Sequence, residues 1–247
     1  MNPIPFTPEP IWDEVLKITI DDNQEALVPT SLAPWLLTMY PAYYKMGIPN
    51  ALPECHIRVG VYQRLLKAAE QLPKGISLLV LDGWRPYVVQ RYLYDTLYNA
   101  LAAKLINKSP LELENLTREF VSLPSTIATA PSPHLTGGSV DVTLIDQQGL
   151  MLDMGTQFDE ASPLSHTHAF EEIAEPNEQQ QAVIANRRLL YGVMSQVGFT
   201  NLPSEWWHFD FGNQLWAWYS GAERAIYGAA QLDSLESRWR KEVDKYS

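Results

Sequence analysis

A carboxylate stands in the middle of a predicted apolar strand. Residues Ser139–Ile145 read SVDVTLI, and the alternation around Asp141 is typical of a β-strand. An unpaired charge in apolar surroundings is costly, so Asp141 requires a partner such as a cation or several hydrogen-bond donors. The chain must therefore fold so that other polar groups meet this strand.

Two further segments supply suitable groups. His134 precedes the strand in SPHLTGGSVD, where Gly137 and Gly138 let the chain turn so that His134 and Asp141 converge. His208 follows in the segment EWWHF. Three ligands from His and carboxylate side chains, with a fourth position left for water, are typical of zinc in hydrolases. We therefore predict that His134, Asp141 and His208 bind one zinc ion per chain.

Glu205 lies three residues before His208. This spacing places two side chains on one face of a helix but on opposite faces of a strand. We favour a strand over residues 206–211, which puts Glu205 in the loop that follows Pro203 and lets His208 point at the metal. Glu205 is then the predicted general base, which takes a proton from the attacking water and delivers it to the leaving amine.

Short strands and helices alternate along the chain without a strict βαβ rhythm. Apolar spacing, Gly and Pro predict helices over 59–72, 88–104, 110–120 and 176–197, and strands over 76–81, 139–145 and 206–211; a turn at 146–149 leads to another short strand. The pattern favours an α+β fold in which a small antiparallel sheet carries the zinc site and helices flank it.

We expect residues 1–247 to form a single domain. Residues 1–50 are rich in proline and aromatic residues, which predicts an irregular N-terminal segment wrapped over the core, and residues 213–247 are expected to form a C-terminal helical extension. The aromatic and hydrophobic content, 46% hydrophobic overall, indicates a globular protein.

Composition excludes some classes of function. The formal net charge of -11 and the absence of any basic run argue against a nucleic-acid partner. No stretch approaches a membrane span, and the N-terminus lacks the pattern of a secretory signal, so a cytoplasmic location is expected. Cys55 is the single cysteine, which requires no oxidising compartment and is expected to be a buried, unreactive side chain.

Four segments, in this order, carry a resemblance to a known family: LVLDGWRP, SPHLTGGSVDVTL, MGTQFD and EWWHF. The chain resembles the D-alanyl-D-alanine dipeptidases of the VanX type, within the wider group of zinc D-Ala-D-Ala peptidases, over about residues 57–211. The resemblance implies their α+β fold, zinc on the three ligands named above, Glu205 as general base and the free dipeptide D-Ala-D-Ala as substrate.

The resemblance also implies roles for three more residues. Arg85, in DGWRP, matches the family arginine that stabilises the oxyanion of the tetrahedral intermediate, and a fixed guanidinium just past a buried strand suits that role. Asp159, at the end of MGTQFD, matches the residue that binds the ammonium of the dipeptide. Ser132 matches a residue that helps to hold the substrate.

Several alternatives stay open at this point. The same chemistry fits a D,D- or L,D-carboxypeptidase that acts on longer cell-wall peptides, and the same fold fits a catalytically silent zinc-binding module. A Cys55–His56 hydrolase ranks last, since adjacent residues rarely face each other. His166 and His168 have a spacing that suits a rival metal site. The sequence leaves open a monomer or a homo-oligomer, and a role in antibiotic resistance or in recycling of wall fragments.

Overall fold

A five-stranded sheet forms the centre of the protein, of which the computed structural model describes residues 2–246. The strands, in chain order, are β1 (Leu27–Pro29), β2 (Leu37–Met39), β3 (His56–Arg58), β4 (Ser77–Asp82), β5 (Thr126–Ile127), β6 (Ala130–Pro131), β7 (Ser139–Ile145), β8 (Thr200–Asn201) and β9 (His208–Asp210). The central sheet has the order β2-β4-β7-β9-β8, and β1 with β3 and β5 with β6 form two separate antiparallel pairs.

Helices surround this sheet. The α-helices are α1 (Trp12–Val15), α2 (Ala42–Lys45), α3 (Val59–Ala69), α4 (Tyr87–Lys104), α5 (Pro110–Arg118), α6 (Glu178–Gln196), α7 (Gln214–Ser220) and α8 (Leu235–Val243). Short 3-10 helices occupy Thr30–Leu32, Pro133–Thr136, Pro163–Ser165, Ala169–Glu172 and Asp244–Tyr246.

Several helices, among them the long helix α6, begin where the sequence offers a capping side chain. At the start of α6, the Asn177 side chain accepts a hydrogen bond from the Gln180 amide, and the Gln180 side chain accepts one from the Asn177 amide. Each bond satisfies a backbone donor that the first turn would leave free. The helix ends just before Gly198, whose φ of 91° is disfavoured for residues that carry a Cβ atom. Both ends agree with the predicted helix.

The two faces of β7 have different roles. Val140, Val142 and Leu144 point into the main hydrophobic core, together with residues of α3 and α6. Each such side chain contributes roughly 1.5–3 kcal/mol when it is fully buried. The alternate residues, among them Ser139 and Asp141, face the opposite side of the sheet, because successive side chains of a strand alternate. The apolar face therefore fixes the direction in which Asp141 points.

The α+β prediction is confirmed, with three differences of detail. The sheet is antiparallel except at one edge, where β2 pairs parallel to β4. Strand β2 comes from the proline-rich segment over residues 1–50, which contributes short elements where an irregular segment was expected. The turn at 146–149 leads only to a single bridge between Ile145 and Met151. The C-terminal region is helical only in part, because residues 221–234 separate α7 from α8 and include a bridge from Ala225 to Ile20.

The longest helices described, α4 and α6, are not apolar enough to cross a membrane, and neither is any other described helix.

Candidate active site

Three acidic and histidine side chains lie side by side on neighbouring strands. Asp82 at the end of β4 pairs with Asp141 of β7 next to a bulge, and Asp141 pairs with His208 of β9. Residues directly opposite each other on antiparallel strands project from the same face of the sheet. The register therefore brings Asp82, Asp141 and His208 together without the help of any loop.

His134 reaches the same place from the 3-10 helix Pro133–Thr136. This helix ends at Gly137, whose φ of 70° lets the chain turn sharply back into β7. A side chain at this glycine would also collide with Leu27. The predicted turn between His134 and Asp141 is therefore present, and both side chains are buried.

The donor atoms of His134, Asp141 and His208 converge on one point. His134 Nε2 lies 3.1 Å from His208 Nδ1 and 3.5 Å from Asp141 Oδ1, and His208 Nδ1 lies 3.3 Å from Asp141 Oδ1. Tetrahedral zinc with bonds of 2.0–2.1 Å requires ligand atoms about 3.3 Å apart. The three separations therefore fit the coordination sphere of a zinc ion.

Hydrogen bonds on the far side of each ring orient the histidines. His134 Nδ1 lies 2.7 Å from the carbonyl oxygen of Gly83, which accepts only, so Nδ1 carries the proton and Nε2 presents a lone pair to the cluster. His208 Nε2 lies 3.0 Å from Asp210 Oδ2, which leaves His208 Nδ1 facing the cluster. Partners of this kind are typical of metal-binding histidines.

The two carboxylate oxygens of Asp141 have different surroundings: Oδ2 contacts Arg85, and Oδ1 faces the two histidines. Oδ2 accepts a hydrogen bond of 3.1 Å from Arg85 Nη2, whereas Oδ1 is buried and has no hydrogen-bond partner among the described residues. A buried carboxylate oxygen without a donor is rare unless a metal ion completes its environment. Within residues 2–246, His134, Asp141 and His208 are the only set of three such side chains that converges in this way.

The acidic and histidine side chains of the cluster also shift one another's pKa values. Burial alone would raise the pKa of Asp141, but the adjacent rings of His134 and His208 hold it well below its usual range. Burial would lower the pKa of His208, but the carboxylates of Asp210 and Asp141 outweigh burial and hold it well above its ordinary value. The carboxylates thus stabilise a positive charge where the three donor atoms meet, which either a proton on His208 or a bound metal ion can supply.

Asp210 is a part of the site that the sequence analysis missed. Its carboxylate is fully buried and accepts hydrogen bonds from Ser139 Oγ at 2.7 Å and Asn213 Nδ2 at 2.6 Å, in addition to its contact with His208. Asp210 lies two residues after His208 in β9, and period-two spacing puts both on one face of the strand. That spacing was the available signal.

Glu205 stands in the loop before β9, as predicted. Its Oε2 atom lies 3.7 Å from His208 Nδ1, and its backbone is fixed by a hydrogen bond from Asn201 Nδ2 to the Glu205 carbonyl. Burial raises the pKa of Glu205 to about 8. A carboxylate with a pKa near neutral pH, next to a metal site, is suited to accept a proton and to release it again.

Arg85 is held on three sides. Its guanidinium donates to Asp82 Oδ2 at 2.7 Å, to Gln90 Oε1 at 2.8 Å and to Asp141 Oδ2 at 3.1 Å, and it lies over the ring of Tyr43. Three of its five N–H groups are thus engaged, which leaves two for a ligand. The group is a fixed positive charge beside the cluster of His134, Asp141 and His208. Sequence alone gave no signal for Gln90 or Tyr43.

Asp159 faces the same space from a loop. Its φ of 63° is uncommon for a residue other than glycine and indicates a backbone that the surrounding structure holds in place. Asp159 keeps an exposed surface where it lines the cavity, but the protein atoms crowded around its carboxyl group displace water and raise its pKa to about 6, against the opposing effect of Arg85. Asp159 is therefore an acidic group whose charge changes just below neutral pH.

The structure places Ser132 differently from the other predicted site residues. Its hydroxyl accepts a hydrogen bond from the Ser125 amide at 2.7 Å and lies within reach of the Leu123 carbonyl at 3.2 Å. The side chain is buried, and it is not among the residues that line the cavity beside the metal ligands. In this arrangement Ser132 fastens residues 123–125 to the chain next to His134.

A cavity of about 530 Å³, the main cavity, opens beside the cluster of His134, Asp141 and His208. Its wall is built from the metal-site side chains, from α5 and from the N-terminal segment over residues 9–13. The lining includes Arg85, Asp159 and Glu205, and it also includes Asn115 and Arg118 of α5, for which the sequence gave no functional signal. The main cavity therefore holds acidic groups and arginines on separate elements around one centre.

The remaining candidates take no part in the cluster of His134, Asp141 and His208, although His166 lines the main cavity. His166 lies 3.6 Å from Glu9, and His168 lies 3.1 Å from Glu172, so each contacts an acidic side chain of its own and they form no shared site. Burial raises the pKa of the Cys55 thiol far above its usual range, which keeps it unreactive at neutral pH. The Cys55–His56 hydrolase is therefore not supported.

The chain matches a family of known proteins. Residues 55–222 match the family model of peptidase family M15 that is described as D-Ala-D-Ala dipeptidase. The chain is 33% identical to a D-alanyl-D-alanine dipeptidase of Synechocystis sp. over 224 residues, which cover 82% of this chain and 88% of the relative. A D-alanyl-D-alanine dipeptidase of Escherichia coli is 42% identical over 136 residues, which cover 55% of each chain.

Solved structures show a more distant likeness. The chain superposes with a TM-score of 0.42 and 14% identity on the vancomycin-resistance D,D-pentapeptidase VanY in complex with Zn(II), over 87% of this chain and 96% of the other. The LD-carboxypeptidase LdcB gives a TM-score of 0.41 at 16% identity, over 79% of this chain and 73% of the other.

Proposed function

The chain belongs to the D-Ala-D-Ala dipeptidases of peptidase family M15, and on this premise we propose that it hydrolyses free D-Ala-D-Ala with one zinc ion held by His134, Asp141 and His208. The observation that carries the proposal is the unpartnered Oδ1 atom of Asp141, which faces two histidine nitrogens at separations that suit zinc. When bound, zinc supplies a Lewis acid that activates water and polarises the substrate carbonyl.

Glu205 and Arg85 perform the proton transfer and the charge stabilisation. The Glu205 carboxylate takes a proton from the attacking water and passes it to the leaving amide nitrogen, a role that its raised pKa favours. The two free N–H groups of Arg85 donate to the carbonyl oxygen as negative charge develops there. Because Asp82, Gln90 and Asp141 hold the guanidinium in advance, little reorganisation is needed in the transition state.

The ends of the dipeptide are recognised by opposite charges. Asp159 binds the free ammonium group, and a charge-assisted hydrogen bond of this kind selects substrates that have a free N-terminus. Arg118 and Asn115, on α5, face the main cavity and are available to the C-terminal carboxylate. Ser132 supports the substrate indirectly, through the loop that it fastens beside His134.

A carboxypeptidase on longer cell-wall peptides is the competing reaction, and the curated relatives, which are named dipeptidases, do not favour it. The test is a comparison of kcat/KM on D-Ala-D-Ala and on N-acetyl-D-Ala-D-Ala, together with metal analysis. We expect one zinc per chain and at least tenfold faster cleavage of the free dipeptide, roughly the effect of one charge-assisted hydrogen bond. Faster cleavage of the acetylated peptide would establish a carboxypeptidase, and zinc binding without cleavage of either would establish a silent module.

The rest of the chain supports this site. We propose that residues 1–247 act as one peptidase domain, since the N-terminal segment lines the main cavity and Ile20 bridges to Ala225 near the other end. A cytoplasmic location is also proposed, and the single buried cysteine, which forms no disulfide, is consistent with it.

A further inference from the structure

A second cavity, which we call the apolar chamber, adjoins the main cavity. It measures about 320 Å³ and lies between α2, α4 and the loop that carries Asp159. Much of its wall is apolar, with contributions from Met46, Ile48, Leu97 and Ala100. His134, Asp141 and His208 do not line this chamber.

Two catalytic-site carboxylates stand in the wall between the cavities. Asp159 and Glu205 line both the main cavity and the apolar chamber, as does the ring of Tyr43. Any molecule whose ammonium group contacts Asp159 therefore has the apolar chamber directly beside that group. The chamber is thus part of the surroundings of the substrate's first residue.

The distribution of charge gives the bound dipeptide a direction. Among the described residues that line the apolar chamber, the charged ones are the acids Asp159, Glu160 and Glu205. The basic side chains Arg85, Arg118, His134, His166 and His208 line the main cavity only, which also carries the acids Glu9, Asp13 and Glu119. A substrate carboxylate is therefore disfavoured in the chamber, whereas the ammonium end of the substrate is favoured at its entrance.

A methyl group fills little of this space. In a dipeptide, the ammonium group and the first side chain are attached to the same carbon atom, so an ammonium at Asp159 places the first side chain at the chamber entrance. With D-alanine in that position, most of the 320 Å³ stays without a ligand, and Met46 and Tyr92 remain 57% and 41% exposed. A larger apolar side chain removes this surface from water, which favours binding.

We propose that the apolar chamber is the subsite for the side chain of the substrate's first residue, and that the protein hydrolyses D,D-dipeptides that begin with a large apolar residue as well as D-Ala-D-Ala. The inference rests on the proposed function, since it requires the ammonium group to lie at Asp159. It extends the substrate class from one dipeptide to dipeptides of the form D-Xaa-D-Ala in which Xaa is leucine or phenylalanine.

The first experiment compares the zinc-loaded full chain on D-Ala-D-Ala, D-Leu-D-Ala and D-Phe-D-Ala. We expect kcat/KM for the two larger substrates to equal or exceed that for D-Ala-D-Ala, because each buried apolar group contributes roughly tenfold or more in a well-formed pocket. If the protein cleaves D-Ala-D-Ala but cleaves D-Phe-D-Ala and D-Leu-D-Ala a hundredfold more slowly, the inference is overturned. The proposed function stays intact in that case.

A pair of variants tests whether the chamber is responsible. Ala100 is exposed on α4 and lines the chamber, so Ala100→Trp fills it, whereas Ala103→Trp makes the same change at an exposed position of α4 outside the lining. We expect Ala100→Trp to lower the ratio of kcat/KM for D-Phe-D-Ala over D-Ala-D-Ala by about tenfold. Ala103→Trp is expected to leave this ratio at the wild-type value.

The remaining outcomes also decide the question. An unchanged ratio in Ala100→Trp overturns the inference even if D-Phe-D-Ala is a good substrate, because the side chain then binds elsewhere. If Ala100→Trp fails to fold, the wild-type substrate series decides alone. Cleavage of neither D-Ala-D-Ala nor the larger dipeptides by the zinc-loaded protein contradicts the proposed function, and the inference falls with it.

Discussion

The metal centre and the substrate-facing wall of this site are built in different ways. Asp82, Asp141 and His208 stand on three paired strands, and the sheet register places their side chains on one face. Asp159 instead stands on a loop with a left-handed backbone, and Arg118 lies at the end of a short helix. Strand pairing fixes much of the proposed metal centre, to which a 3-10 helix adds His134 and a loop adds Glu205, whereas the wall depends on how separate segments pack.

We expect the proposed metal centre to determine the rate of the chemical step and the wall to determine which substrates bind. In the metal centre nearly every polar atom has a partner inside the protein, so the reacting groups are positioned before a substrate arrives. The wall offers charged groups and an adjoining apolar space that can hold substrate side chains of different sizes. Substitutions in the centre should therefore change kcat, and substitutions in the wall should change KM and substrate preference.

The largest effect is expected at Glu205. Glu205→Gln keeps the shape of the side chain but removes the proton acceptor, so kcat for D-Ala-D-Ala should fall by about 10³- to 10⁴-fold. Zinc content and thermal stability should stay at wild-type levels, since Glu205 is not one of the ligands. The measurement is steady-state kinetics with metal analysis of the same sample, and substantial residual turnover would remove Glu205 from its role as base.

Arg85 is expected to give the next largest effect. Arg85→Lys keeps a positive charge but cannot reproduce the three hydrogen bonds and the free donors of the guanidinium, so kcat should fall about 10²-fold with a small change in KM. Kinetics at saturating substrate distinguish the two parameters. A rise in KM with unchanged kcat would move Arg85 from the centre to the wall.

A wall substitution should behave differently. Asp159→Asn removes the charge that pairs with the ammonium group, so KM for D-Ala-D-Ala should rise by roughly 10- to 100-fold, and KM for N-acetyl-D-Ala-D-Ala should change little. Because the protein atoms crowded around the Asp159 carboxyl group raise its pKa to about 6, the wild-type group gains a proton as the pH falls through 6. The wild-type KM should therefore rise between pH 7 and pH 5. The same rise in Asp159→Asn would assign it to another group.

The smallest catalytic effect is expected at Ser132. Ser132→Ala removes the acceptor of the Ser125 amide, so we expect a loss of about 1–2 kcal/mol in the free energy of unfolding and a KM within about twofold of wild type. Denaturant unfolding and kinetics on the same variant measure both. A large rise in KM without loss of stability would instead support the direct contact with substrate that the family resemblance implies.

The same comparison explains how much the sequence could predict. Asp141 in its apolar strand, the histidines and Glu205 were recognisable because strand periodicity and turn glycines fix their directions locally. Tyr43, Gln90 and Arg118 reach the site from segments far apart in the chain, and nothing local marks them. Asp210 lay between these cases, since its spacing from His208 was informative but its partners Ser139 and Asn213 were not.

The fold shows the same division. Helix ends with clear caps, as in α6, were predicted closely, because the capping side chains act on neighbouring amides. The parallel pairing of β2 with β4 was not predicted, because it joins the proline-rich N-terminal segment to a strand about forty residues further on. Pairing over such a distance is decided by the packing of the whole core.

The most direct test of the account is a zinc titration of the metal-stripped protein and of its Asp141→Ala variant, with D-Ala-D-Ala hydrolysis measured at each point. We predict that wild-type activity rises linearly and reaches its plateau at one zinc per chain. Asp141→Ala should lose tight zinc binding and activity together, because Asp141 alone among the described residues supplies a buried, unpartnered carboxylate oxygen. Full hydrolysis by the metal-free protein, or wild-type zinc affinity in the variant, would contradict the assignment of the metal centre.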